Sequence, residues 1–254
     1  MILAVDIGNT NIVIGCCEND EILFIERLST NQTATVLEYA VSIKNVFELN
    51  NVKPSQIEGS VISSVVPSVT NTVNDAIFKT IGKKSLIVGP GIKTGLSIVI
   101  DNPAQLGSDL VVDAVAGLAY YPLPLAIIDM GTATTVTVID SKRNCIGGII
   151  MPGMKISLDS LTGRTSQLPK ISLDAPKKVI GSNTIDCMKS GIIYGTAGNI
   201  DGIIDRIEDE LGEKVTAVAT GGLAELVIPY CRREIILDNE LMLKGLMLIY
   251  NKNK

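Results

Sequence analysis

"MILAVDIGNTNIVIGC" (1–16) and "PLAIIDMGTATTVTVID" (124–140) decide the fold. Each is an apolar run that ends at an Asp, turns on a Gly and a Thr, and continues into a second strand-like run. The two carboxylates, Asp6 and Asp129, lie 123 positions apart (129 − 6). An Asp inside apolar chain is costly to bury unless something pairs with it. Two copies of strand, Asp, turn and strand predict a duplicated organisation, with two similar lobes and a cleft between them.

The rest of the chain fits that plan. Strands are expected at 2–7, 11–16 and 22–28, a helix over 35–50, and a strand at 59–67 from which Pro67 opens a helix. "KSLIVG" (84–89) reads as a strand and "LVVDAVAGLAYY" (110–121) as a helix. The pattern then restarts: three strands within 124–153, helices at 154–161 and 183–211, a strand in "KVTAVATGG" (214–222), and helices near 222–230 and 239–250. Alternating strands and helices argue for an α/β class. "YYPLPL" (120–125) is the best boundary, giving lobes 1–122 and 123–254.

Composition narrows the chemistry. The 254 residues are 46% hydrophobic and 19% charged, ample for a packed core. A net charge of −5 gives no electrostatic footprint for nucleic acid or an anionic membrane. No apolar run reaches the ~18 residues a spanning helix needs. No basic segment precedes the first apolar run, so no signal peptide is expected. The five cysteines are odd in number and form no C-x-x-C pair, as expected of free thiols in a reducing cytoplasm. There is no histidine, which removes Ser-His-Asp and Cys-His catalysis and His-ligated metals. A general base must be Asp, Glu, Lys, Tyr or Cys, and a metal must be a hard cation held by oxygens.

The two turns carry that chemistry. Gly lets the backbone approach a ligand, consecutive amides make an anion-binding concavity, and Thr and Asn add donors. A carboxylate beside a phosphate requires a cation between them, so the pattern reads as phosphate with Mg²⁺ held at Asp6. A hairpin with an Asx turn would look the same at one site; two matched turns favour the phosphate reading. "VATGGLAEL" (218–226) ends a strand in Gly221 and Gly222, which leave room for a flat nucleoside ring. In "DNPAQLGSDLVVDAV" (101–115), Asp109 opens a helix, where a carboxylate is favoured by the helix dipole. Asp113, one turn on, is the alternative.

With these motifs in order, the chain resembles the type III pantothenate kinases of the actin-like, sugar-kinase-like ATPase superfamily. "DIGNTN", "SSVVPSVT", "DMGTATT", "GGIIMPG", "GSNT", "ATGGLAEL" and the tail "LMLKGLMLIY" fall in the family's order nearly end to end. The resemblance implies two actin-like (ribonuclease H-like) lobes. It implies that Asp6, Ile7, Gly8, Asn9, Thr10, Asn11, Ile12 and Val13 bind ATP phosphates and that Thr132 touches ATP. Asp129 would bind a monovalent cation (K⁺ or NH₄⁺), and Asp109 would be the proton acceptor. Gly107 and Thr184 would contact pantothenate, with Ser108, Leu110 and Ile100 on the same acceptor side. The family forms homodimers.

Two positions depart from the family. Leu110 stands where an Arg is usual, and Ile100 where a Tyr is usual. Leu110 lacks the cationic fork, a loss of ~1.5–3 kcal/mol for a charge-assisted contact. Met130 replaces a more usual Phe. The expected activity is pantothenate phosphorylation to 4′-phosphopantothenate. The alternative is a diverged paralogue that binds nucleotide as a regulator or phosphorylates another hydroxyl.

Overall fold

A computed structural model describes residues 1–19 and 21–254. They divide into two compact units, each an α/β sheet with helices. Unit 1 comprises Met1–Leu96, Asn102–Ala116 and Glu240–Lys254; unit 2 comprises Ser97–Asp101 and Gly117–Asn239.

In unit 1, strands β1 (Ile2–Ile7), β2 (Asn11–Glu18), β3 (Glu21–Ser29), β4 (Gly59–Ser64) and β5 (Ser85–Ile87) form a sheet of order β3-β2-β1-β4-β5. β1 runs antiparallel to β2 and parallel to β4. The period-2 alternation of a strand sorts its side chains between two faces. Leu3, Val5 and Ile7 pack with helices α1 (Val36–Leu49) and α2 (Pro67–Ile81). Ile2 and Ala4 pack on the other face with α3 (Ser108–Tyr120) and α7 (Leu241–Lys252), through Val112, Val115, Leu243 and Leu246. Asp6 continues the Ile2–Ala4 series and so falls on the α3 side of the sheet. α1 starts where it does because Thr35 and Glu38 form a capping box, each side chain accepting the other's backbone N–H.

Unit 2 repeats the plan. Strands β7 (Leu125–Met130), β8 (Ala133–Ile139), β9 (Asn144–Pro152), β10 (Thr216–Thr220) and β11 (Ile236–Leu237) take the order β9-β8-β7-β10-β11, and β6 (Ser97–Ile98) adds to the edge of β9. β7 is antiparallel to β8 and parallel to β10, as β1 is to β2 and β4. Ala126, Ile128 and Met130 pack with α4 (Met154–Gly163), α5 (Thr184–Leu211) and α6 (Ala224–Val227). Asp129 therefore lies on the opposite face, the position Asp6 holds in unit 1. Met130 is a core residue, so its exchange for the family's Phe is a packing matter.

The units follow packing rather than chain order, unlike a division at 122/123. α7 belongs with the first sheet because Leu243, Leu246 and Ile249 are buried there. Each such side chain contributes about 1.5–3 kcal/mol when taken from water. β6 and β11 were not legible as strands; two residues are too few to show a period. No helix among the described residues is long and apolar enough to cross a membrane.

Candidate functional site

The first turn is built at the end of β1. Asp6 is half-buried, with Val13 of β2 and Ser63 of β4 as its strand neighbours. The Gly8 N–H donates to the Asn11 carbonyl at 3.0 Å, closing the turn. Thr30, just past β3, ties it down: its N–H donates to the Thr10 carbonyl at 3.0 Å and its hydroxyl to the Gly8 carbonyl at 2.6 Å. The side chains of Asn9, Thr10 and Asn11 are left exposed. Ile7 and Ile12 are core residues, so they can meet a phosphate only through the main chain. Thr30 was not singled out from the sequence. Its signal is register: Ser29 pairs with Asn11, which delivers the next residue to the turn.

The same unit carries Gly107, Ser108, Asp109 and Leu110 at the start of α3. The Leu110 N–H donates to Asp109 Oδ1 at 2.8 Å, so Leu110 serves the carboxylate through its backbone. The Asp109 carboxyl folds back over Gly107, where a Cβ would collide with Oδ1. Asp109 is half-buried, and desolvation pushes its pKa above the ordinary 3.8, against the lowering effect of the Leu110 N–H and its own N–H. Asp113 is only 1% exposed, so Asp109 is the more accessible of the two carboxylates.

In unit 2 the second turn is one residue shorter. Ile7 and Ile12 bracket the first turn; Met130 and Thr134 bracket the second. The Gly131 N–H donates to the Ala133 carbonyl at 3.0 Å, and Thr132 is exposed. Two glycines close around this turn from distant sequence. Gly221, at φ +94°, sits where a Cβ would overlap Asp129 Oδ1 and the Met130 backbone. Gly153, the N-cap of α4, sits where a Cβ would overlap the carbonyl oxygens of Thr132 and Gly131. "GGIIMPG" is thereby explained at its last residue, a close approach that no local pattern shows. Gly222 faces open space.

Thr184 is the first residue of α5, whose N-cap Asn183 accepts the Asp186 N–H at 2.9 Å. It lines an open groove of about 790 Å³ with Leu161, Leu168, Cys187, Met188 and Ile192. Ile100 is half-buried just beyond β6, in unit 2. The structure thus brings Asp6, Ser108 and Asp109 together in one unit and Asp129, Thr132 and Gly221 together in the other. Burial raises the thiol pKa of Cys16 and Cys145 and takes Cys231 to about 12, which disfavours the reactive thiolate form.

The residues of the first turn fit a metal ion carried on nucleotide phosphates. Among the described residues no three His, Cys, Asp or Glu side chains converge as a metal cage. Mg²⁺ carried on nucleotide phosphates needs only one or two carboxylates, and the Asp6 turn offers one beside exposed donors.

Comparison with known proteins places the chain in a family. The sequence profile of the type III pantothenate kinase family matches residues 2–206. A type III pantothenate kinase from an Exiguobacterium species is 45% identical over 254 residues, all of both chains. One from Brevibacillus brevis is 44% identical over the same 254 residues, again all of both. Among solved structures, a putative 2-dehydro-3-deoxygalactonokinase from Sinorhizobium meliloti aligns with TM-score 0.60 at 12% identity, covering 99% of this chain and 96% of that one. That likeness shows the fold, the actin-like, sugar-kinase type. With full-length relatives at this identity, the chain belongs to the type III pantothenate kinase family.

Proposed function

We infer that this protein is a kinase that phosphorylates pantothenate to 4′-phosphopantothenate with ATP, the first step of coenzyme A biosynthesis. The observation that carries the reading is Asp109: a half-buried carboxylate at a helix start, on the sheet face that also carries Asp6. Its Oδ atoms accept the proton of the primary hydroxyl as that oxygen attacks the γ-phosphoryl group. Burial raises its pKa above the ordinary carboxylate value, which makes it a better base than an exposed Asp. The Asp6 turn holds the ATP phosphates through main-chain amides and the side chains of Asn9 and Thr10. Asp6 would hold Mg²⁺, which when bound offsets charge on the phosphates. Thr132 touches ATP, and Gly221 and Gly222 receive the adenosine. Gly107 and Thr184 contact pantothenate, with Leu110 and Ile100 in place of a charged and an aromatic contact. The transition state is loose, so most of the rate comes from positioning and electrostatics.

Asp129 is assigned the monovalent cation, K⁺ or NH₄⁺. Its carboxylate is walled by Gly221 and half-buried, which suits a compact ion. The test is ATP-dependent phosphorylation of pantothenate by the purified full chain, with Mg²⁺ and with or without K⁺ or NH₄⁺. Turnover that requires the monovalent ion is expected in the parent, and Asp129→Asn should turn over slowly and respond weakly or not at all to added K⁺ or NH₄⁺. Absence of pantothenate turnover under all these conditions would overturn the reading.

The protein acts as a homodimer in the cytoplasm. Support for the dimer lies in α5, where Gly191, Gly195, Gly198 and Gly202 recur at spacings of four, three and four, one face of a helix. The first three meet nothing within 4 Å. Interior glycines cost a helix ~1 kcal/mol each against Ala, a cost that a closely packed neighbour would offset. Gly195→Leu should therefore convert dimer to monomer in light scattering, without loss of helix content by circular dichroism. Support for the cytoplasm is the five free cysteines.

A further inference from the structure

We propose that Ser108 is a positioning residue, locking the base Asp109 to the strand beside Asp6, and that Ser63 is its second anchor. The proposal rests on Asp109 being the proton acceptor. A hydroxyl has one hydrogen to give and two lone pairs to fill. The Ser108 hydroxyl donates to the Ser64 carbonyl at 2.9 Å and accepts the Ser64 N–H at 3.2 Å. Its third contact is Ser63 Oγ at 3.2 Å; with the Ser108 hydrogen already given, Ser63 is the donor. All three valences of Ser108 are filled inside the protein, and none remains for a substrate.

The anchor itself is held. Ser63 is fully buried, and in β4 it is the strand partner of Asp6. Val61 packs on the α3 side and Ile62 on the α1–α2 side, so Ser63 faces α3 and Ser64 faces α2. Ser64 in turn accepts the Val66 N–H at 3.1 Å and bonds Thr70 Oγ1 at 2.7 Å. Thr70 gives its own hydrogen to the Val66 carbonyl at 2.9 Å, so Ser64 is the donor to Thr70. Every hydroxyl hydrogen in the chain Ser63–Ser108–Ser64–Thr70 is assigned in one direction. The start of α3, and with it the Asp109 carboxylate, is fixed relative to the β1–β4 strand pair. Displacing a catalytic group by about 1 Å can cost on the order of 10²-fold in rate.

The experiment is steady-state kinetics of the full chain in Ser108→Ala, Ser63→Ala, the double variant and Ser108→Thr, with Asp109→Asn alongside. Ser108→Ala is expected to lower kcat by roughly 10- to 100-fold, with KM for ATP and pantothenate within about twofold. The acid limb of its kcat–pH profile should move toward the ordinary carboxylate range as Asp109 becomes better hydrated. Ser108→Thr, which keeps the hydroxyl, should recover most of the rate. Ser63→Ala should show a smaller loss of kcat, and the double variant should be no worse than Ser108→Ala, because both remove one shared bond. A raised KM for pantothenate at unchanged kcat would make Ser108 a substrate contact and overturn the proposal. Unchanged kinetics would overturn it equally. If Ser108→Ala does not fold, Ser63→Ala, which spares the two bonds to Ser64, decides by the same criteria. Asp109→Asn separates the two levels: full activity there overturns the base assignment, whereas an inactive Asp109→Asn beside a parent-like Ser108→Ala overturns only the lock.

Discussion

Asp109→Asn should lower kcat by about 10²- to 10⁴-fold, the usual contribution of a general base, while ATP still binds in a direct titration. The same substitution should make the protein more stable at neutral pH. Burial is the largest influence on this carboxyl, and it disfavours the charged form. A carboxyl whose folded pKa exceeds its unfolded pKa contributes stability below the unfolded value and loses it as pH rises through the folded one. Above both values the ionised Asp109 is a net cost of folding. Asn removes the charge and keeps an oxygen that can accept the Leu110 N–H. Its stability advantage over the parent should therefore be present at pH 7 and disappear below about pH 4. For the parent, kcat should fall as pH drops through the raised pKa, so the acid limb lies above the ordinary 3.8. Chemical denaturation of both proteins at pH 7 and pH 4, together with a kcat–pH profile of the parent, checks all three expectations. An active Asp109→Asn would remove the base.

Gly221→Ala is expected to be the most disruptive single methyl in the second turn. Two costs add. At φ +94° an L side chain is strained, by ~1–2 kcal/mol. The new Cβ would also collide with Asp129 Oδ1 and with the Met130 backbone, which cannot swing away as a flexible side chain can. Overpacking of that kind costs about 1–3 kcal/mol. The sum, about 2–5 kcal/mol, should appear as lost stability in denaturant and as weakened ATP binding, since Asp129 and the turn beside it must shift. Gly222→Ala is the contrast: nothing lies within 4 Å of its Cβ position, and stability should stay within about 1 kcal/mol of the parent. Equal stabilities for the two variants would mean that the wall around Asp129 is not rigid.

The resemblance and the repeat carried the family, but several supporting contacts were hidden for a common reason. Thr30 reaches the first turn only because the β2–β3 register pairs Asn11 with Ser29. Gly153 meets the second turn only because β9 returns beside β8 and α4 begins at that level. Asp109 and Asp113 lie on nearly one face of the helix, and only tertiary packing distinguishes them, burying Asp113 to 1% exposed and leaving Asp109 half-buried. Ile7 and Ile12 match the phosphate motif, yet their side chains belong to the core.

The sequence by itself determined the class and its duplication. Period-2 apolar runs ending in Asp, Gly and Thr specify strand, turn and strand locally, and the chain writes that pattern twice. It also set the available chemistry, since a chain without histidine leaves a carboxylate as its natural base at neutral pH. Tertiary structure alone decided what surrounds each Asp. Ser108 meets Ser63 and Ser64 across 44 or 45 positions, and α7 joins the first sheet from the far end of the chain. Gly221 closes on Asp129 from just past the end of the neighbouring strand β10. These are contacts of register, side-chain direction and steric fit between distant segments. Local periodicity carries no information about them, because it records which face a residue takes and not what is packed against that face.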